Sequence, residues 1–302
     1  MLSQELVRKT RYIEILTRHL VNNTFAGRYH AVFKGHGIEF SEVRPYQEGD
    51  EVRMIDWNVS ARTGSLYVKR HIEEKELTVM LVVDASASGE FGTFNRFKRE
   101  LAAELASVLS LAATTSNDKV GLLMFTDIVE LLIPPRKGRR HLTRLIRDML
   151  SFQPNNKGTN IGVALETIAR VLKRRSIVFL ISDFIDDSKA YYKPLYLTNR
   201  RHDVVAIDLQ DPMESEIPDI GIMALEDAEL EELTWLDSSD ASWRANFIQQ
   251  QQLFEENKRQ ALLSAGVDRI QVKTNHEYMS ELLLFFQKRS RRLAKTTRRA
   301  TT

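Results

Sequence analysis

The 302-residue chain has no cysteine, which excludes disulfides, thiolate nucleophiles, iron–sulfur clusters and cysteine-ligated zinc and fits a reducing compartment. No window approaches the roughly 20 apolar residues needed to span a bilayer. The first eleven residues carry Glu5, Arg8, Lys9 and Arg11 and lack the apolar core of a signal peptide. Together these features predict a cytoplasmic protein. The phosphate-loop pattern Gly-x-x-x-x-Gly-Lys-Ser/Thr is missing, so no ATP hydrolysis by that device is expected. The Gly-x-Ser-x-Gly elbow is missing too, and no residue is assigned a catalytic role. Net charge is nearly absent: 43 lysines and arginines against 41 aspartates and glutamates leave +2.

Hydrophobic residues make up 43% and charged residues 28%, the balance of a soluble globular chain. The length suits two ordinary domains, or one large domain with appendages. The near-neutral total conceals a separation of charge. From Leu284 onward there are seven basic side chains and no acid, whereas Asp211 to Asp240 holds eleven acids and no lysine or arginine.

Residues 2–22 place Leu6, Ile13, Leu16 and Leu20 at mostly helical spacing, so residues 1–23 are read as a leading helix. Residues 24–75 are rich in glycine and short runs such as Val52–Ile55 and Ser65–Val68, which predicts a small β-rich segment with tight turns. From 76 to about 270 apolar runs alternate with helical stretches. Leu77–Val83, Val120–Phe125, Ser176–Ile181 and the Val204–Ile207 run are apolar almost throughout, as strands covered on both faces are. Helices are expected at 97–115, 160–174 and 241–265. The fold class predicted is α/β, a doubly wound and mostly parallel sheet. Residues 271–302 read as a final helix, from 276 to 293, that merges into the basic tail.

The first strand ends in Asp84-Ala85-Ser86-Ala87-Ser88-Gly89. The third ends in Ile181-Ser182-Asp183, and Asn156-Lys157-Gly158-Thr159-Asn160 leads into a helix. In a doubly wound sheet the carboxyl ends of the parallel strands form the edge where ligands bind. Asp84, Ser86, Ser88, Thr159 and Asp183 are therefore expected at one edge. Two carboxylates with neutral hydroxyls suit a hard cation such as Mg²⁺, with water completing six ligands. Taken alone, Asp-x-Ser-x-Ser is also what turns and helix caps use, and Thr159 is a natural N-cap.

The Asp-x-Ser-x-Ser run, the Gly-Thr loop and the later strand-end aspartate resemble the metal-ion-dependent adhesion site of von Willebrand factor A domains. That resemblance implies Asp84, Ser86, Ser88, Thr159 and Asp183 as metal ligands for Mg²⁺, Mn²⁺ or Ca²⁺. A second block reaches further: Gly35-His36-Gly37-Ile38-Glu39-Phe40-Ser41-Glu42-Val43-Arg44-Pro45-Tyr46, Gly49-Asp50, Arg53, Ile55-Asp56-Trp57 and Ser60-Ala61-Arg62. With Ser182-Asp183-Phe184, Arg201-His202-Asp203, Asp211-Pro212 and Glu214, it resembles the bacterial family called domain of unknown function, number fifty-eight. Members carry the adhesion-type domain and are typically encoded beside MoxR-type AAA+ ATPases. The resemblance thus implies a partner of that kind, or a client presented to it. Where relatives commonly have methionine after the motif, this chain has Gly89, which is not a ligand position.

The 44–62 block reads as structural, with Asp50, Arg53, Asp56 and Arg62 paired and Trp57 packed beneath. Arg136, Lys137, Arg139, Arg140, Arg144 and Arg147 form a second basic cluster, read as a solvated face or an acidic-partner site. No aromatic residue interleaves the tail from Lys288 to Arg299, which counts against single-strand stacking, and no nucleic-acid partner is expected. The function expected is a non-enzymatic, metal-dependent adaptor. One rival is a metal-dependent phosphoester hydrolase, although the aspartyl phosphatases place a second aspartate where Ser86 stands. The other is a nucleic-acid or anionic-surface binder acting through the tail.

Overall fold

Thr78–Asp84 (β3) owes its place to its composition: every interior side chain is buried, so it can only be the middle of a two-faced sheet. In the computed structural model it lies at the centre of six strands. The structure describes residues 12–13, 15–17, 20–21, 23–33, 42–70, 76–93, 96–214, 217–226 and 233–300. Much of the expected leading helix and the Gly35–Ser41 part of the family block lie outside these residues.

In chain order the described elements begin with α1 (Asn23–Phe33), β1 (Glu42–Pro45), α2 (Trp57–Thr63), β2 (Tyr67–Arg70) and β3. Next come α3 (Lys98–Thr115), β4 (Lys119–Phe125), β5 (Val129–Arg136), α4 (Arg139–Leu150), α5 (Ile161–Val171) and β6 (Ile177–Ser182). The chain continues through α6 (Ser188–Arg201), β7 (Asp203–Gln210), β8 (Ile222–Glu226) and β9 (Leu233–Asp237). It finishes with α7 (Ala241–Ser264), β10 (Asp268–Lys273) and α8 (Tyr278–Ala300).

The main sheet runs β10-β7-β6-β3-β4-β5. All its pairings are parallel except β4 with β5. The α/β, doubly wound and mostly parallel architecture predicted from the apolar runs is what the chain adopts. The antiparallel strand β5 sits at an edge, where Pro134 and Pro135, which have no N–H to donate, are tolerated. Its register against β4 shifts between Val120 and Leu122. Gly121 lies under that irregularity, where an added Cβ would come within 2.7 Å of Met80 Sδ and 3.0 Å of the Ile133 carbonyl.

Alternate residues of β3 serve opposite layers, as the period of two requires. Val79, Leu81 and Val83 pack with side chains of α1, α3, α4 and α8. Met80 and Val82 pack with α5, α6 and α7. The last helix is no appendage, since Leu282 and Phe286 are fully buried in the first of these layers. β10 spans Asp268–Lys273 and so crosses the expected boundary at 270.

The segment expected to be β-rich contains one antiparallel pair of four-residue strands, β1 and β2. Val52–Met54, read as a strand, is a turn of 3-10 helix. Arg44, rather than Arg53, pairs with Asp50, donating from both terminal nitrogens at 2.7 and 2.6 Å. Asp56 caps α2 by accepting from the N–H groups of Asn58 and Val59. Trp57 is not packed beneath: it is 63% exposed, because the helix that Asp56 initiates turns that first position outward. Among the described residues no helix is long and apolar enough to cross a membrane.

Candidate functional site

From β3 the chain moves outward through β4 to β5, then crosses back to β6 on the other side of β3. The crevice between the carboxyl ends of β3 and β6 is therefore the topological switch point of the sheet, the place where loops part and ligands bind. Asp84 is the last residue of β3, and Asp183 follows the last residue of β6.

Each loop is held by its own polar side chains. Asp84 Oδ1 accepts from the Ser86 N–H at 3.0 Å, which turns the chain out of the strand. The Ser86 and Ser88 hydroxyls then lie 3.0 Å apart. Ser182 Oγ donates to Asp84 Oδ2 at 2.6 Å and accepts from the Phe184 N–H, joining the two strand ends. Phe184 adopts a left-handed φ of 58°, which is costly for a bulky residue. Its full burial, with the ring against Tyr191, holds that turn and aims Asp183 into the crevice. Asp183 Oδ1 accepts from the Ile185 N–H at 3.1 Å.

Asp84, Ser86, Ser88 and Asp183 line one small cleft, together with Lys98, Ser182 and Leu209. Thr159 is not among its lining residues. Its loop is nevertheless fixed against the first: the Ala87 N–H donates to the Lys157 carbonyl at 2.9 Å, and Glu130 accepts from Asn155 and Asn156. Nor does Thr159 cap α5. Asn160 does, accepting from the Val163 N–H. Gly89 stands 3.5 Å, at its notional Cβ, from Arg99 Cβ, an ordinary contact.

Sequence reasoning missed Lys98. Its ammonium is buried and donates to Asp183 Oδ2 and Glu214 Oε1, both at 2.5 Å. Nothing in the linear pattern marks Lys98, because it opens α3, where a lysine normally reaches water. Glu214 was visible only as part of the family block. Burial pushes the Lys98 pKa down, but Asp183 and Glu214 outweigh it and the net shift is upward. Burial, with a weaker push from Asp183, raises the Asp84 carboxyl to about 7. Burial likewise raises Glu214.

The donor set fits a hard divalent cation. All the available ligands are oxygen, and with Asp84, Asp183 and Glu214 ionised against one ammonium, two negative charges are left uncompensated. Asp183 adds to the upward push that burial gives the Asp84 carboxyl, as a like charge at one site does. Among the described residues no group of three or more His, Cys, Asp or Glu is arranged to hold a metal. A cation here would therefore rely on serine hydroxyls and water beside the two aspartates.

A doubly wound, mostly parallel sheet with an oxygen-rich switch point and one antiparallel edge strand makes this an α/β protein of the doubly wound class. More narrowly, the chain belongs to the family described as protein of unknown function DUF58, whose pattern matches residues 42–257. It is similar to uncharacterized proteins of Mycobacterium bovis and Mycobacterium tuberculosis, 29% identical over 289 residues, covering 95% of this chain and 90% of theirs. Among solved structures it is similar to an aerotolerance-related membrane protein from Bacteroides fragilis, at 18% identity and a TM-score of 0.49, covering 70% of this chain and 99% of that one. The SpRpn10 VWA domain is similar at 12% identity and a TM-score of 0.41, over 69% and 94% of the two chains.

Proposed function

We propose that this chain is a non-catalytic interaction protein whose switch-point site holds a divalent cation, Mg²⁺ first, and through it binds a carboxylate of a partner protein. The observation that carries the reading is the convergence of Asp84, Ser86, Ser88 and Asp183 on one cleft, with more negative charge than Lys98 neutralises. When bound, the cation supplies a Lewis-acidic position at which an incoming Asp or Glu is a ligand. Asp84 and the two serine hydroxyls would hold it, with Asp183 and Thr159 in supporting places. Asp84 is oriented for that task by Ser182 and the Ser86 N–H. Asp183 is engaged by Lys98 and the Ile185 N–H, which suits contact through water. The partner implied by the family resemblance is a MoxR-type AAA+ ATPase or a client presented to it.

Titration calorimetry with Mg²⁺ tests the site. The wild type is expected to bind and Asp84→Ala to lose that binding. Equal heats from both proteins would remove the metal from the account. A pull-down of the ATPase with and without EDTA then tests the partner.

A further inference from the structure

The small cleft is lined by a cation that belongs to the chain itself. Lys98 opens α3, where a lysine normally reaches water, yet its side chain is only 2% exposed. Lysine is almost never buried so far unless it is paired. Its place is fixed from the main chain: the Lys98 N–H donates to the Phe91 carbonyl at 3.0 Å, and the Phe91 ring lies 5.9 Å from the ammonium. The ammonium then divides itself between Asp183 Oδ2 and Glu214 Oε1, at 2.5 Å from each. Glu214 is anchored in turn. Its Oε2 accepts from the Asp211 N–H at 3.0 Å, and Asp211 is tied by the hydroxyls of Thr93 and Thr274 at 2.6 Å each. Glu214 is not among the residues lining the small cleft, so its contact with the site runs through the ammonium.

A divalent cation entering among Asp84, Ser86, Ser88 and Asp183 therefore meets a competitor on two counts. It draws on Asp183, whose Oδ2 accepts from Lys98 while Oδ1 accepts from the Ile185 N–H. It also meets a like charge in a buried place, where solvent and salt screen little. Because the ammonium is tethered, it cannot be diluted away as a dissolved ion can. The charges nevertheless favour the exchange. Asp84, Asp183 and Glu214, ionised against Lys98, leave two negative charges, which one divalent ion balances.

We propose that Lys98 is a built-in competitor of the metal, which sets how tightly the switch-point site holds a divalent cation, and that Glu214 is the positioning residue that keeps the ammonium when Asp183 turns to the ion. The inference rests on the metal reading of the site. It adds a residue that weakens binding rather than making it: the lysine compensates the carboxylates and gives way to an ion of twice its charge. Glu214 shares the ammonium with Asp183 and so eases its release. A unit charge within about 4–6 Å changes the binding of a proton by about one to three powers of ten. Removing the ammonium should therefore be felt by a bound metal on at least the lower end of that scale.

Titration calorimetry with Mg²⁺ on the full chain tests it, using the wild type, Lys98→Met, Glu214→Gln and the double variant. Lys98→Met is expected to bind Mg²⁺ about tenfold more tightly than the wild type, or better, and adding Asp84→Ala to it should abolish the binding. A gain of that kind cannot come from a protein that failed to fold. Where Lys98→Met does not fold, Lys98→Gln takes its place, since the amide still donates to either carboxylate without the charge. Glu214→Gln leaves the ammonium to Asp183 alone and should weaken Mg²⁺ binding about threefold or more, yet by less than about twofold in the Lys98→Met background. Simple loss of negative charge would lower affinity equally in both backgrounds, and that result would overturn the role of Glu214. Equal or weaker binding by folded Lys98→Met, beside a wild type that binds, overturns the proposal and leaves the metal site standing. Absence of binding in every protein removes the metal and its competitor together.

Discussion

Replacing Lys98 by methionine isolates the internal cation of the switch point. Methionine keeps the length and most of the volume of the side chain, so packing changes little. What is lost is the ammonium 2.5 Å from both Asp183 and Glu214. Removing one partner of a buried ion pair costs about 3–5 kcal/mol. Glu214 is only partly buried and can regain water, and Asp183 keeps the Ile185 N–H, so the lower end applies, about 3 kcal/mol. With a urea slope of about 3 kcal/mol/M, the unfolding midpoint should fall by about 1 M in EDTA. Two dependences identify the origin of the loss. The ammonium stabilises only ionised carboxylates, so the gap between wild type and variant should narrow as pH falls and Glu214, whose pKa burial already raises, takes up a proton. Added Mg²⁺ should narrow it as well, since a cation in the cleft restores positive charge. A gap below about 1 kcal/mol, or one of constant size across pH, would show that Lys98 acts only by filling space.

Phe286 meets Phe25, Tyr29 and Phe33 edge-on at 5.4, 6.3 and 5.9 Å between ring centroids, so Phe286→Ala should cost about 3–5 kcal/mol in denaturant unfolding; a loss typical of a surface site would mean that α8 is not docked. Burial raises the Asp211 carboxyl, but bonds from Thr274, Thr93 and Met213 outweigh that and hold its pKa below the ordinary value. Its contribution is therefore complete above the unfolded pKa of about 3.9 and is lost as pH falls through the lower folded value. The stability difference between wild type and Asp211→Asn should be level near neutrality and shrink as the pH falls below the unfolded value of about 3.9; a difference of constant size through acid would refute the assignment.

The parts of the molecule legible in the sequence are those where one force decides. β3, β6 and β7 are buried on both faces, so their runs are apolar at nearly every position and stand out without context. β10 was missed because only Ile270 and Val272 are buried, with the exposed Gln271 between them. β5 carries two prolines and is allowed as a strand only by its edge position. The β8–β9 hairpin was hidden inside a stretch dominated by acids. At the site, the alternation Asp84, Ser86, Ser88 and the strand-end Asp183 could be placed on one edge from topology alone. Lys98 could not, since its burial results from Asp183 and Glu214 meeting from segments 85 and 116 residues away. Where the first basic residues of the tail go also needed the fold. Arg289 pairs with Asp203 and Asp268, and Arg292 with Asp268, at the start of β7 and β10.

The packing of α8 against α1 also sets an order on folding. Phe25 and Phe286 belong to the same core layer as β3, yet 260 residues of chain lie between them. During synthesis the strands emerge early, but one face of the sheet lacks its last cover until the C-terminal helix leaves the ribosome. Long-range closure of that kind is slow, and it leaves apolar surface exposed while the chain waits. A truncation that removes Leu282 and Phe286 would therefore leave α1 and the central strands facing water, although both lie at the far end of the sequence. The N-terminal half of this protein is finished by its last helix.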